Sequence, residues 1–313
     1  MVAVPVAAVL GWPLAHTLSP ALHQAAYRAA GLDGWTYEAR PTRPEDLAAA
    51  LEEVRSGALA GVNLTTPHKQ PAAELVDDLE RPADRLGAVN TVFLREGRLV
   101  GGNTDVAGAV WALGSQLALR DDRWAGDGPA VLLGTGGVAL AVAFAWSRLA
   151  RARRHQGLPV APLQVAGRDG AKAADVAGLA GPGAQAVDWA ATAELVAAAE
   201  VVVQATTLTA RGEPVPGQDR LRPGVRVLDC NYGPASRGLV TAARAAGAAA
   251  AADGLGMLCA QAAGAVVKIA RVRPDLDAMA AAVGLSWPVP GSAGDPPRLT
   301  GGPPRRSPGP PGA

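Results

Sequence analysis

Residues 129–150 read PAVLLGTGGVALAVAFAWSRLA, and the fold follows from them. Ala130–Leu133 is a short apolar run with the length of a buried strand. It runs into a glycine turn, Gly134-Thr135-Gly136-Gly137-Val138-Ala139, and Val138–Ala150 then predicts a helix. Glycines there let the backbone turn tightly and approach a pyrophosphate, while the helix start offers free amides and the positive end of its dipole. The stretch therefore predicts the opening of a Rossmann-like βαβ system. Leu163–Ala166, Val201–Ala205 and Val225–Asp229 predict further strands of it. Leu239–Ala246 and Gly254–Ala270 predict helices, with Gly247 placed to end the first. Arg151–Pro162 is longer than an ordinary helix-to-strand link and reads as a surface insertion.

Upstream, residues 3–10 predict a strand, Ser19-Pro20 to Ala30 a helix with Gly31 after its end, and Thr36–Arg40 a strand. Pro44–Gly57 predicts a helix opening on Glu45-Asp46, which suits its N-terminal dipole. Ala60–Leu64 predicts a strand, and Val89–Leu94 with Arg98–Gly101 a hairpin turning at Glu96-Gly97. Strands alternating with helices imply a parallel or mixed sheet. The expected class is α/β.

The chain has 313 residues, enough for two α/β domains. Its net charge of +1 leaves no global field to draw it to nucleic acid or lipid. No apolar run reaches the ~18 residues needed to span a bilayer. MVAVPVAAVLGWP has no basic segment before its apolar part, so it reads as a buried strand rather than a signal peptide. Cys230 and Cys259 lie far apart and read as reduced thiols, which points to the cytoplasm. Residues 286–313 are rich in Gly, Pro, Ser and Arg without apolar period and read as a disordered tail. In a chain that otherwise uses Arg, the three lysines (Lys69, Lys172, Lys268) draw inspection, because Lys exchanges a proton and Arg does not.

The strand after the glycine turn ends in Val165-Ala166-Gly167-Arg168-Asp169. This end faces the adenosine ribose in a Rossmann domain. Arg168 and Lys172 favour the 2′-phosphate of NADP, whereas Asp169 suits the 2′-hydroxyl of NAD. In GWPLAHTLSPALH (residues 11–23), Thr17 and Ser19 place hydroxyls where they and helix-start amides can hold a carboxylate. Read alone, Ser19 before Pro20 is more simply a helix cap. Asn63-Leu64-Thr65-Thr66-Pro67-His68-Lys69, Asn90-Thr91 and Gly101-Gly102-Asn103-Thr104-Asp105 each end a strand with Asn or Thr. They can converge on one cleft at the sheet's carboxyl edge. A Lys69–Asp105 pair there can pass a proton to a hydroxyl or carbonyl oxygen, although surface ion pairing is the commoner fate of Lys and Asp. His16, His23, His68 and His155 have no metal-ligand spacing, and GTGG lacks the serine of a nucleophile elbow.

Together these segments resemble the shikimate dehydrogenase family. GWPLAHTLSPALH resembles its N-terminal signature, VNLTTPHK its N-V-T-x-P-[FH]-K block, and GAVNT and GNTD its asparagine and aspartate blocks. GTGGVA resembles its cofactor loop, and DGLGMLCAQAA (residues 253–263) its late D-G-x-x-M-L-x-x-Q-A block. The matches run in order from residue 11 to about 270.

The resemblance implies two α/β domains: residues 1–106, closed by returning helices at about 252–285, for substrate, and 107–251 for a dinucleotide. It implies reversible NADP-dependent reduction of 3-dehydroshikimate to shikimate, within aromatic amino acid biosynthesis, by a monomer or homodimer. Lys69 and Asp105 would bind the reacting oxygen, with Lys69 moving the proton. Thr17, Ser19 and Tyr232 would hold the carboxylate, while Thr65, Asn90 and Gln261 would complete the substrate site. Gly134, Gly136, Gly137, Val138 and Ala139 would take the pyrophosphate, Arg168 and Lys172 the 2′-phosphate, and Gly254 and Met257 the nicotinamide side.

The departures are as specific. Thr17 stands where the family has Ser, and Asp169 follows Arg168, leaving open a quinate or aminoshikimate paralogue using NAD. The family's N-A-T-x-x-G is Gln204-Ala205-Thr206-Thr207-Leu208-Thr209 here, without the Asn or the later Gly. That change leaves open a cofactor-binding regulator without catalysis. Asp229-Cys230-Asn231-Tyr232-Gly233-Pro234 matches the family's Tyr block loosely.

Overall fold

The structure is a computed structural model and describes residues 4–14, 17–120 and 124–285. It holds two six-stranded sheets. The strands are β1 (Val6–Gly11), β2 (Thr36–Pro41), β3 (Gly61–Leu64), β4 (Asp78–Leu79), β5 (Thr91–Arg95), β6 (Arg98–Gly102), β7 (Ala130–Leu133), β8 (Leu163–Gly167), β9 (Gln185–Asp188), β10 (Val201–Gln204), β11 (Arg226–Asp229) and β12 (Ala250–Ala252). The helices are α1 (Ser19–Ala29), α2 (Leu47–Arg55), α3 (Pro71–Leu75), α4 (Ala83–Leu86), α5 (Asp105–Trp111), α6 (Gly137–His155), α7 (Gly170–Ala180), α8 (Thr192–Ala198), α9 (Arg237–Ala245), α10 (Leu255–Ile269) and α11 (Leu276–Ala282).

The first sheet has the order β2-β1-β3-β5-β6-β4. Its β1, β2 and β3 are parallel, and the β5–β6 hairpin adds antiparallel strands beside β3. Glu96 and Gly97 both take positive φ, the turn chemistry of a two-residue hairpin. The second sheet has the order β12-β11-β10-β7-β8-β9 and is parallel throughout. That order reverses beside β7, so a crevice opens at the carboxyl ends of β7 and β10, next to the glycine turn. The central strands β7 and β10 are near-continuous apolar runs, buried on both faces. The predicted helix over Pro44–Gly57 begins as a 3₁₀ turn, Pro44–Asp46, before α2.

α10 packs on α1, α5 and β5, and α11 packs on α1. Gly61, in β3, lets Ile269 of α10 lie close against the first sheet. A Cβ at Gly108 would sit 2.6 Å from the Met257 carbonyl oxygen, so α5 and α10 approach backbone to backbone here.

The surface-insertion reading of Arg151–Pro162 is corrected. Helix α6 continues to His155, and Arg153 is buried. Its guanidinium donates to the carbonyls of Pro159, Leu119 and Trp124 and lies over the Trp124 ring. Arg153 is thus a buried clamp inside a largely exposed segment, its cation satisfied by carbonyl oxygens and an aromatic face. The predicted tail, residues 286–313, lies outside the described residues.

Candidate active site

Three strand ends of the first sheet deliver polar side chains to one place. Asn63 is the last residue but one of β3, Asn90 precedes β5, and Thr104-Asp105 follows β6. Asp105 is the first residue of α5, where a carboxylate suits the dipole. Lys69, in the loop after β3, reaches across to it: Nζ lies 2.5 Å from Asp105 Oδ2, with the side chains only 13% and 10% exposed. Asn90 Nδ2 donates to Asp105 Oδ1 at 2.9 Å. Both carboxylate oxygens are therefore engaged, each by a different donor.

A second layer orients Asn90. Its Oδ1 accepts from the Thr104 amide at 2.7 Å and the Thr91 hydroxyl at 2.9 Å. Asn63 Nδ2 donates to Thr91 Oγ1 and the Asn90 carbonyl, and Tyr37 OH donates to Asn63 Oδ1. The polarity of this chain is set by acceptors that cannot donate, a carboxylate at one end and a carbonyl in the middle. Tyr37 stacks on His23, whose imidazole burial holds neutral, its pKa pushed down to about 3. From α10, Gln261 Oε1 accepts from Thr104 Oγ1 at 3.1 Å and lies 3.3 Å from Asn90 Nδ2.

The rare lysines are all paired. Lys268 bridges to Glu80 and Lys172 to Asp169, so scarcity alone does not mark Lys69. Lys69 is the one whose partner lies in the cleft. His68 is buried with Nε2 2.8 Å from the Thr42 carbonyl, a structural role, and His155 is exposed. His16 lies outside the described residues. Among the described residues no group of three His, Cys, Asp or Glu could hold a metal ion.

Thr17 and Tyr232 come together from opposite halves of the chain. The Leu18 amide and the Thr17 hydroxyl both reach the Tyr232 hydroxyl, while burial raises its pKa. Thr17 Oγ1 also accepts from the Ser19 amide at 3.2 Å. The helix-cap reading of Ser19 is corrected here. Ser19 is the first residue of α1 rather than its cap, and the Ser19 hydroxyl caps no amide. Thr65 lies at the carboxyl end of β3 with its methyl against Gly11.

The second sheet brings the glycine turn to the same cleft. Gly134 has φ +114°, a conformation that favours glycine, and it lies against the Ala205 carbonyl. A Cβ at Gly136 would meet nothing within 4 Å, and one at Gly137 would lie 3.0 Å from Lys69 Cδ. The turn thus offers an open cradle, and the Lys69 methylenes form one wall of it. Helix α6 starts at Gly137, so its first amides point into the cradle without helical partners. Val138 is half-buried, and Ala139 is buried with its methyl in the core between α5, α6 and β7.

At the end of β8, Asp169 is committed to helix α7. Its Oδ1 accepts from the Ala171 and Lys172 amides, and Oδ2 pairs with Lys172 Nζ at 3.5 Å. Those bonds hold its carboxyl below the ordinary carboxylate range. Arg168 is exposed and, among the described residues, has no acidic partner, leaving a free guanidinium at the sheet edge. Gly254 immediately precedes α10, close against the Cys230 carbonyl, and Met257 is buried on α10.

The altered loop after β10 is well held. Gln204 and Thr206 exchange hydrogen bonds, and Asn231 Nδ2 donates to the Thr206 carbonyl and to Thr209 Oγ1, each at 2.8 Å. Sequence reasoning missed the organising role of Asn63, Thr91, Thr104 and Asp229. The sequence signal for the first three is the recurrence of Asn-Thr at strand ends.

Residues 9–92 match a family described as the shikimate dehydrogenase substrate binding domain. The chain is 39% identical over 261 residues to the shikimate dehydrogenase (NADP(+)) of Citrifermentans bemidjiense, covering 82% of this chain and 86% of that one. It is 36% identical over 275 residues to the protein of the same name from Methylocella silvestris, covering 87% and 92%. The crystal structure of the Thermus thermophilus shikimate 5-dehydrogenase in complex with NADP(H) and shikimate matches with a TM-score of 0.70 and 36% identity, over 90% of this chain and 98% of that one.

Proposed function

The chain belongs to the shikimate dehydrogenase family, and from that premise we propose that it reduces 3-dehydroshikimate reversibly to shikimate with NADPH, through Lys69 and Asp105. The observation that carries this reading is the Lys69–Asp105 pair, closed at 2.5 Å against the first residue of the cofactor helix. The pair supports Lys69 as a proton donor within reach of a carbonyl oxygen and a nicotinamide ring.

The residues present fit the dinucleotide. The open cradle at Gly136, the positive φ of Gly134 and the free amides of α6 suit a pyrophosphate, and Arg168 suits a 2′-phosphate. Asp169, spent on capping α7, supports NADP over NAD. Lys172 sits beside Arg168 as a second, weaker cation. NADPH supplies the hydride when bound.

The chain's own residues supply the rest. Lys69 gives its proton to the keto oxygen as that oxygen gains negative charge. Asp105 holds the Lys69 ammonium in place and accepts from a ring hydroxyl. Asn90, with its amide fixed toward Asp105, keeps that carboxylate from turning away. Thr17, Ser19 and Tyr232 bind the carboxylate with hydroxyls rather than a cation. The methyl of Thr17 leaves its hydroxyl directed at Tyr232 and the Ser19 amide, which supports retention of this role. Thr65 and Gln261 bond the remaining hydroxyls, and Gly254 and Met257 line the nicotinamide side. Residues 1–106 with about 252–285 would form the substrate side and 107–251 the cofactor side. The packing of α10 and α11 on α1 supports that division. The two free thiols support a cytoplasmic location.

The test is an absorbance assay at the NADPH band with shikimate or quinate and either nicotinamide. Reduction of NADP⁺ by shikimate, well above that by quinate or with NAD⁺, is expected. A folded protein that reduces neither nicotinamide with either acid sinks the reading.

A further inference from the structure

The loop after β10 and the Tyr232 loop after β11 meet at one buried side chain. Asp229 ends β11 and has no exposed surface. Its Oδ1 accepts from Thr209 Oγ1 at 3.0 Å, the Asn231 amide at 3.0 Å and Asn231 Nδ2 at 3.2 Å. Asn231 in turn holds the Thr206 carbonyl. On one side this network fixes Ala205–Thr206, which lie against Gly134 of the glycine turn. On the other it fixes the backbone that carries Tyr232 to Thr17. Gln204 and Thr209 are positions where the chain departs from the family's N-A-T-x-x-G block, and Asn231 lies in the loosely matched Tyr block. Folded, they belong to one set of hydrogen bonds, two of them directly on Asp229.

Resting on the function proposed above, we propose that Asp229 is a positioning residue, whose carboxylate ties the cofactor-side loop to the Tyr232 loop and so sets the affinity for NADPH. Its charge is what makes the hub strong, because a carboxylate accepts from three donors more firmly than a neutral group does. Its Oδ2 is buried without a partner. Asp253, in the loop entering α10, is the charged group that faces it. Cys230 beside it is a half-buried thiol, and the titratable groups of the turns and helix packed there, Arg211 and Arg237, are exposed. Burial, with Asp253 adding to it, pushes the Asp229 carboxyl up to about 6. The hub therefore changes character near neutral pH, where binding can be followed.

The experiment is NADPH binding, read by its fluorescence, from pH 5 to pH 8 on the full-length protein and on Asp229→Asn. The 2′-phosphate titrates in the same range, so the ratio of the two dissociation constants is the readout. Asn keeps an acceptor oxygen but no charge and stands in for the protonated carboxyl. The unsubstituted protein is expected to bind roughly five- to tenfold more tightly at pH 8, with the two converging at pH 5. A ratio that stays constant with pH, or equals one at pH 8, overturns the proposal. If Asp229→Asn does not fold, Thr209→Val and Asn231→Ala replace it. Each is expected to weaken NADPH binding at pH 8 at least threefold, and unchanged affinity in both overturns the proposal. If the unsubstituted protein binds no NADPH, the proposed function falls and takes this inference with it. If it binds and turns over shikimate but shows no such ratio, the positioning role alone falls.

Discussion

Lys69→Met separates the two jobs assigned to one ammonium group. Methionine keeps an unbranched side chain of similar length, so the wall beside Gly137 survives, whereas alanine would remove it. What disappears is the donor 2.5 Å from Asp105 Oδ2, leaving that carboxylate with the Asn90 amide at 2.9 Å. Breaking a fully buried ion pair costs about 3–5 kcal/mol, and an exposed one about 0–1. At 10–13% exposure in a cleft that admits water, the loss of stability is expected between these, about 1–2 kcal/mol. The chemical step suffers more. Losing a positioned proton donor removes about 10²–10⁴-fold, or roughly 3–5.5 kcal/mol of barrier. NADPH affinity is expected within about twofold, because Lys69 meets the glycine turn only through methylenes. Lys69→Arg sharpens the comparison: it keeps the charge and the pair, so stability should hold, but Arg does not give up a proton, so turnover should still fall at least about 100-fold. Turnover is followed at the NADPH band and stability by urea unfolding. Either variant with turnover within tenfold of the parent would refute Lys69 as the proton-transferring group.

Three further expectations test separate parts of the site. Arg168→Ala should lower the preference for NADPH over NADH by roughly 10–100-fold, the worth of a charge-assisted phosphate contact, as read from the two KM values; an unchanged preference removes Arg168 from the 2′-phosphate. Gly108→Ala would put a methyl 2.6 Å from the Met257 carbonyl, so α5 and α10 must part. A cost of about 1–3 kcal/mol in unfolding free energy and a fall in kcat are expected, since Asp105 opens α5, and an unchanged Tm would rule out the close contact. The pH dependence of stability should hide two opposing groups. His23, depressed to about 3, contributes stability that is full above its unfolded value near 6.5 and is lost as pH falls. Asp229, raised to about 6, favours the folded state most below its unfolded value of 3.8 and loses that contribution as pH rises through 6. Between pH 4 and 6 the two slopes cancel in the parent, and Asp229→Asn should expose a rise in stability of roughly 3 kcal/mol across that window. A variant as flat as the parent in urea titrations would show that one of the two groups is not buried as described.

The parts of this molecule legible in its sequence are those whose physics is local. The strand–glycine turn–helix of residues 129–150 needs only neighbours to explain it, and the hairpin at Glu96-Gly97 needs only two positive φ angles. Elements without a local signal went unseen. β12 is three alanines, which have no strand preference and pair only because β11 is beside them. α5 opens on Asp105 with no capping side chain and carries a glycine where a helix former would be expected, because α10 must pass close to it. Arg153, read as part of a surface insertion, became a buried clamp because three carbonyl oxygens from distant loops await it. The cleft was legible only as strand ends rich in Asn and Thr; nothing in the order of residues says that Asn90 points its amide at Asp105. The departures from the family's blocks carry the strongest form of this lesson. Gln204 and Thr209 each read singly as a loss, and Asn231 as part of a loose match. A hydrogen-bond network is a property of the set, since each donor is useful only if its acceptor is present. Two substitutions that look like decay in one dimension can therefore belong to one network in three, and the position of Asp229 beside Thr209 and Asn231 supports that reading.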